Sequence, residues 1–260
     1  GGTYGPRCLS SFLKTKGFEV YSIFSKNLIQ FSEINEAQTQ ATLNLIRELN
    51  PDLIGLSLVS ILSHQYYEEF VARIKKIKKI PIVAGGAYPS SFPEALLQQE
   101  NIDFVCLGEG EESFSELCGA LSAGRKTEGI PGIVSKEYPT TIKCDPPQEL
   151  DLLPFQDVSS KGMYYVHPDG KTEEKDVFFL REEYPTKVSR GCIFRCSYCE
   201  NNTLRNLCST PSKYYRVRSV QNVISELRRY IEEINPNAKK IWFADDSFPS
   251  LPAWVEEFSA

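Results

Sequence analysis

Histidine, methionine and long apolar runs are what this sequence has least of. It has two histidines, His64 and His167, in 260 residues. Both read as structural or solvated side chains, which leaves little room for histidine-based catalysis. No apolar stretch is long enough to cross a membrane, and no secretory signal is present, so a cytoplasmic protein with no membrane partner is expected. Positive charge is not concentrated either. The formal charge is −5, and the basic stretch "RIKKIKKIP" (73–81) reads as the solvated face of a helix, which argues against nucleic acid as the main partner. The one methionine is Met163 and the chain opens on "GGTYG". Together with an end inside the helical pattern "LPAWVEEFSA", this reads as a piece of a longer protein.

What remains is ordinary globular composition, 41% hydrophobic and 24% charged, with eight cysteines. A disulfide framework is not expected in a chain this long without a secretory signal. Cys106 and Cys118 lie in apolar patterns and read as buried thiols.

The first half alternates strands and helices. "FEVYSIF" (18–24) reads as a strand and "EAQTQATLNLIRELN" (36–50) as a helix stopped by Pro51. "DLIGLSLV" (52–59) is a nearly continuous apolar run, expected of a strand buried on both faces. Residues 63–79 place Tyr67, Phe70, Val71, Ile74 and Ile77 at helical spacing. "IPIVAGG" (80–86), "FPEALLQQ" (92–99), "DFVCLG" (103–108) and "EESFSELCGAL" (111–121) continue as strand, helix, strand, helix. Repeated βα alternation with short connections predicts an α/β, doubly wound, Rossmann-like domain over residues 1–135. The helix at residues 7–16 has no strand ahead of it, so a central first strand is expected to be missing. Ligands in such sheets bind at the carboxyl ends of strands. Here those ends offer Ser57 and Ser60, Gly85 and Gly86, then Gly108, Glu109 and Gly110, where glycine lets backbone approach a ligand closely.

Residues 136–184 are proline-rich and lack helical periodicity, so they read as a linker with extended pieces. From residue 185 a new βα pattern begins. "TKVSR" reads as a short strand. "SVQNVISELRRYIEEI" (219–234) is an amphipathic helix with Ser219 as N-cap. "KKIWFADDSF" (239–248) is a second strand ending in Asp245 and Asp246. One βα unit plus a strand is the start of a parallel barrel or sheet, with reactive groups expected at the strand carboxyl ends.

At the first of those ends stands "SRGCIFRCSYCE" (189–200), with Cys192, Cys196 and Cys199 spaced C-x3-C-x2-C. A structural zinc site wants four ligands, and Cys208 is the nearest fourth. An iron–sulfur cluster also takes four thiolates as a rule. A cubane held by three leaves one iron open, as catalytic metal sites do.

This spacing, with "RGC" at its start and Tyr198 before the last cysteine, resembles the radical S-adenosylmethionine (SAM) superfamily. The resemblance implies a [4Fe–4S] cluster on Cys192, Cys196 and Cys199, with SAM chelating the open iron. It further implies a partial (β/α)6 barrel over residues 185–260 and reductive cleavage of SAM to a 5′-deoxyadenosyl radical, fed by an electron donor such as flavodoxin or ferredoxin. Asp245 and Asp246 would accept hydrogen bonds from the SAM ammonium, with Tyr198 also near SAM. "PDLIGLSLVS", "PIVAGGAYPSSFPEALL", "DFVCLGEGEESFSEL" and "LDLLPFQDV" resemble the N-terminal cobalamin-binding-type domain of such enzymes and the segment after it. No D-x-H-x-x-G motif occurs, so the resemblance implies either cobalamin held without a protein histidine or a domain that has lost it. With cobalamin, methyl transfer is expected. Without it, cyclisation or rearrangement of a small-molecule or peptide substrate is expected. The alternative of another class is a non-catalytic metal- or cofactor-binding module, zinc-structural or relic.

Overall fold

Helix signals in the sequence translate directly into helix ends. Asn35 accepts from the backbone N–H of Gln38 at 3.0 Å, and Asn50 closes the same helix in the left-handed conformation at φ 47°. Ser219 caps a second helix by accepting from Asn222 N–H at 3.1 Å. The computed structural model describes residues 4–25, 35–59, 64–143, 145–176, 182–248 and 251–260, with the side chains of residues 64–66 excepted.

The chain divides into two compact units. One comprises residues 19–142 and 159–175, the other residues 1–18, 143–158 and 176–260. Helix α1 (Tyr4–Thr15) belongs to the latter. Its Arg7 is fully buried and forms a two-pronged ion pair with Asp176 at 2.6 and 2.8 Å, while donating to the Asp157 carbonyl at 2.9 Å. Ser10 and Lys14 bind the Asp157 carboxylate from the same helix face. Those bonds group α1 with segments about 150 residues away rather than with the strand that follows it.

In the first unit the strands are β1 (Ser22–Ser25), β2 (Ile54–Ser57), β3 (Ile82–Gly85), β4 (Phe104–Cys106), β5 (Ile133–Ser135), β6 (Met163–Val166) and β7 (Thr172–Glu174). The helices are α2 (Glu36–Leu49), α3 (His64–Ile77), α4 (Ala87–Ser91), α5 (Pro93–Leu97) and α6 (Glu111–Ser122). One sheet runs β2-β3-β4-β5, parallel through β4 and antiparallel at β5. Its central strands are apolar on both faces, with Ile82, Val83, Ala84 and Val105 at most 2% exposed. Ile74 of α3 and Leu117 of α6 are fully buried, and the Phe114 ring packs on Gly55.

Three expectations change here. The run at 52–59 is not buried on both faces: among the described residues β2 has β3 as its one partner, and burial alternates along it. Cys118 is only part-buried. The proline-rich stretch supplies real strands, because β6 and β7 form a second sheet in the order β1-β6-β7, while β5, just ahead of it, extends the first sheet. Gln38 of α2 fastens to that second sheet through Val166 O at 2.6 Å.

The second unit holds β8 (Glu183–Thr186), β9 (Ser189–Arg190), α7 (Asn201–Leu207), β10 (Arg216–Val217), α8 (Val220–Arg229), β11 (Lys240–Phe243) and α9 (Pro252–Ser259). Strands β8 and β11 pair in parallel with Tyr184 opposite Ile241, the two-stranded start of an open barrel. The strand expected at 186–190 is thus divided into β8 and β9. Helix α8 runs into a π-turn, Tyr230–Ile234, and packs its apolar face on Val188, Tyr184 and Trp254. Among the described residues, no helix is long and apolar enough to cross a membrane.

Candidate functional site

The cysteines lie in an excursion between β9 and β10, whose short antiparallel ladder closes the base with Arg190 opposite Arg216 and Ser189 opposite Val217. Gly191 begins the excursion at φ +80°, and a Cβ there would run into the Tyr214 carbonyl oxygen. The glycine of "RGC" is therefore a steric requirement of the loop's base. Cys192 is buried, Cys199 part-buried and Cys196 exposed, and all three thiols are free. Tyr198 is 91% exposed beside them, and Phe194 58%.

The loop is held by side chains that follow it in sequence. Arg205 of α7, 7% exposed, donates through Nη2 to the carbonyls of Cys192 and Phe194. Its guanidinium lies 5.5 Å from the centre of the Tyr214 ring, a cation–π contact. The Tyr214 hydroxyl donates to Asn201 Oδ1 at 2.5 Å, and Asn201 Nδ2 donates to Cys199 Sγ at 3.5 Å. Asn202 Nδ2 donates to the Cys196 carbonyl at 2.7 Å. Cys208 closes α7 with its thiol donating to Leu204 O at 3.8 Å. Among the described residues, no three His, Cys, Asp or Glu side chains gather around a single ion. A cubane spreads its thiolates further apart than one ion does, and three free thiols on a braced loop fit that donor set.

Asp245 and Asp246 stand just past β11. Asp245 Oδ1 accepts from Ser189 N–H at 2.6 Å, Ser189 Oγ at 2.6 Å and Val188 N–H at 3.1 Å. It joins the end of β11 to the entrance of the cysteine loop. Asp246, 39% exposed, pairs with Lys187 at 3.2 Å. Residues that the sequence reading missed lie beneath. Glu226 of α8, 3% exposed, accepts from Tyr184 Oη at 2.7 Å, Thr186 Oγ1 at 3.0 Å and Arg218 Nη1 at 2.5 Å. Burial, with Glu226 next to it, pushes the Tyr184 phenol far above its usual value. A carboxylate three residues after Val223, on the apolar face of α8, was the available signal. For Arg205, Asn201 and Tyr214 no sequence pattern gave one.

In the other unit the strand ends carry the expected glycines. Gly86 sits at φ +106°, and a Cβ would stand 2.7 Å from Leu58 O, so the β3 exit crosses tightly over the β2 exit. Leu58 N–H donates to Gly85 O at 2.8 Å. Ser90, a residue the sequence reading did not single out, links two strand ends: its Oγ donates to Gly86 O at 2.7 Å and accepts from Gly108 N–H at 2.9 Å. Gly110 precedes α6, and Glu109 is half-buried next to it. Ser57 is exposed at the end of β2, Val59 is 57% exposed and Phe92 55%. Ser60 lies outside the described residues. Among the described side chains, this rim consists of backbone, small residues and two apolar side chains, a surface that a large cofactor could lie against. His167 faces Glu173 at 3.4 Å and the Tyr165 ring, and the His64 side chain lies outside the described ones.

Residues 2–118 match the family model of the B12 binding domain. Over the whole chain the fold resembles TsrM, a radical SAM methyltransferase from Kitasatospora setae solved with cobalamin and a [4Fe–4S] cluster. The TM-score is 0.73 at 19% identity, covering 99% of this chain and 48% of that one. It also resembles OxsB, a cobalamin-dependent SAM radical enzyme solved with aqua-cobalamin and SAM, with a TM-score of 0.59 at 19% identity, covering 97% of this chain and 32% of that one. A protein of Pyrococcus horikoshii named as an uncharacterized methyltransferase is 31% identical over 211 residues, 78% of this chain and 41% of that protein. Cytidylyl-2-hydroxyethylphosphonate methyltransferase of Streptomyces wedmorensis is 24% identical over 219 residues, 73% of this chain and 39% of that protein. The chain thus spans about two fifths of the length of each of these two relatives. The likeness to radical SAM enzymes with an N-terminal cobalamin-binding-type domain, read from the sequence, is borne out in the fold.

Proposed function

We propose that this chain is the cofactor-binding part of a cobalamin-dependent radical SAM methyltransferase. The observation that carries the reading is the braced loop, with three free thiols at C-x3-C-x2-C spacing and a position at the carboxyl end of the first barrel strand. Cys192, Cys196 and Cys199 would hold a [4Fe–4S] cluster, and the B12-binding domain would hold cobalamin at Ser57, Ser60, Gly85, Gly86, Gly108, Glu109 and Gly110. The cluster, when bound, would supply the electron for reductive cleavage of SAM to a 5′-deoxyadenosyl radical, and cobalamin would supply the methyl carrier.

This chain's own residues have separable tasks in that scheme. Asp245 fixes the loop entrance, since its Oδ1 already accepts three hydrogen bonds. Asp246 has accessible oxygen and one ion-pair partner, and is the carboxylate suited to receive the SAM ammonium. Tyr198 is exposed next to the last cysteine and would cover the bound SAM. A flavodoxin or ferredoxin would deliver electrons in the cytoplasm, and the substrate would be a small molecule or peptide.

Anaerobic reconstitution of the protein with iron and sulfide tests the reading. About four irons per chain, an electron paramagnetic resonance (EPR) signal of the reduced cluster that changes on adding SAM, and loss of both in Cys196→Ala are expected. Stoichiometric zinc and no response to SAM would overturn it. A cobalamin titration followed by visible absorbance tests the other unit separately.

A further inference from the structure

Asn201 is a polar side chain that touches a sulfur of the cysteine loop from outside the cysteine set. It is 9% exposed, and its Nδ2 lies 3.5 Å from Cys199 Sγ. An amide in that place could turn either end to the sulfur. The two partners decide together, since a phenol hydroxyl by itself could serve either end and a thiolate only accepts. The Tyr214 hydroxyl, 2.5 Å from Oδ1, donates its proton there. The reverse setting would press a carbonyl oxygen against a sulfur that is a thiolate whenever it ligates metal. Tyr214 is itself fixed. It is 7% exposed, its ring lies under the Arg205 guanidinium, and its carbonyl lies where a Cβ on Gly191 would have to go. Arg205 also grips the carbonyls of Cys192 and Phe194. A relay therefore runs from Arg205 through Tyr214 and Asn201 to Cys199, every member anchored by the loop it serves.

Hydrogen bonds to ligating sulfurs, burial and net charge set the potential of an iron–sulfur cluster. Reduction adds negative charge that spreads onto the sulfurs. An N–H aimed at one of them favours the reduced form and raises the potential. We propose that Asn201 is a positioning residue that sets the reduction potential of the cluster by donating its amide N–H to the Cys199 thiolate, in an orientation imposed by Tyr214. This rests on the cluster reading given above.

The test is an EPR-monitored redox titration of the anaerobically reconstituted full-length protein, with iron counted in each sample. Wild type is compared with Asn201→Ala, Asn201→Asp and Tyr214→Phe. Asn201→Ala is expected to lower the midpoint potential. Asn201→Asp, which turns an oxygen on the thiolate, should lower it further. Tyr214→Phe, which frees the amide without removing it, should fall between wild type and Asn201→Ala. Equal midpoints in all four proteins at full iron loading would overturn the proposal. If the Asn201 variants fail to retain iron, Tyr214→Phe decides alone, a lowered midpoint supporting the relay and an unchanged one refuting it. A wild-type protein that binds no iron would instead refute the cluster reading itself.

Discussion

The two compact units differ in what carries their chemistry. In the barrel-start unit the proposed site is made of side chains: three thiols, with Arg205 and Asn202 bracing the backbone between them, Asn201 on the Cys199 sulfur and Asp245 on the backbone that leads into the loop. In the sheet unit it is main chain: Gly86 at positive φ over Leu58, and Ser90 holding two strand ends together. The contrast follows from the ligands each would take. A metal cluster needs a few soft donor atoms at set places. A large organic cofactor needs a wide surface that backbone and small residues can approach. A ligand set announces itself in sequence, and a backbone surface does so only weakly.

The sharpest way to break this comparison is Glu226→Ala. It leaves Arg218 buried without its carboxylate partner, and losing one member of a buried pair destabilises by about 3–5 kcal/mol. Denaturant unfolding should show that loss, with cobalamin titration of the sheet unit unchanged. If cobalamin affinity falls in parallel, the two units are not separable in this way. Gly86→Ala is the converse test. A side chain at positive φ costs about 1–3 kcal/mol, and the nearby Leu58 carbonyl blocks relaxation. If that strain falls on the binding-competent rim, cobalamin affinity should drop by roughly 5- to 150-fold while iron loading stays at the wild-type level. Asp245→Asn is milder. It keeps the shape and removes the charge behind three hydrogen bonds, so a loss of about 1 kcal/mol is expected. Iron stoichiometry should be retained but with slower reconstitution, read from the rise in visible absorbance.

A pH effect gives the smallest signal. The Tyr184 phenol is held above its usual 10.0 by burial and by Glu226. The unfolded chain releases that proton near pH 10 and the folded chain does not. The contribution is complete below pH 10 and falls as pH rises above it. Ultraviolet titration of tyrosine should show a fraction that ionises only when the protein unfolds. Tyr184→Phe should reduce that fraction.

The sequence was legible where one residue type or one period carried the information. The amphipathic helix at 219–234, its Ser219 cap, the buried strand at 80–86 and the cysteine spacing all have local causes. It was less legible where pairing partners decide. The run at 52–59 is apolar throughout, yet β2 lies at a sheet edge among the described residues, and apolarity cannot tell an edge from a centre. Residues 163–174 lack helical periodicity and seemed a linker. They are strands because β1 and Gln38 supply partners from over 120 residues away.

By itself, then, the amino-acid sequence determined the thiols, the alternation of strands and helices, and the glycines at the strand ends, since each depends on residue type and near neighbours. Tertiary structure alone decided that Asp245 is spent on the backbone at Val188 and Ser189, that Glu226 is buried, and that Asn201 faces Cys199 with its N–H. Those roles depend on which donor or acceptor the fold brings within hydrogen-bond distance, and hydrogen bonding is short-ranged in space, not along the chain.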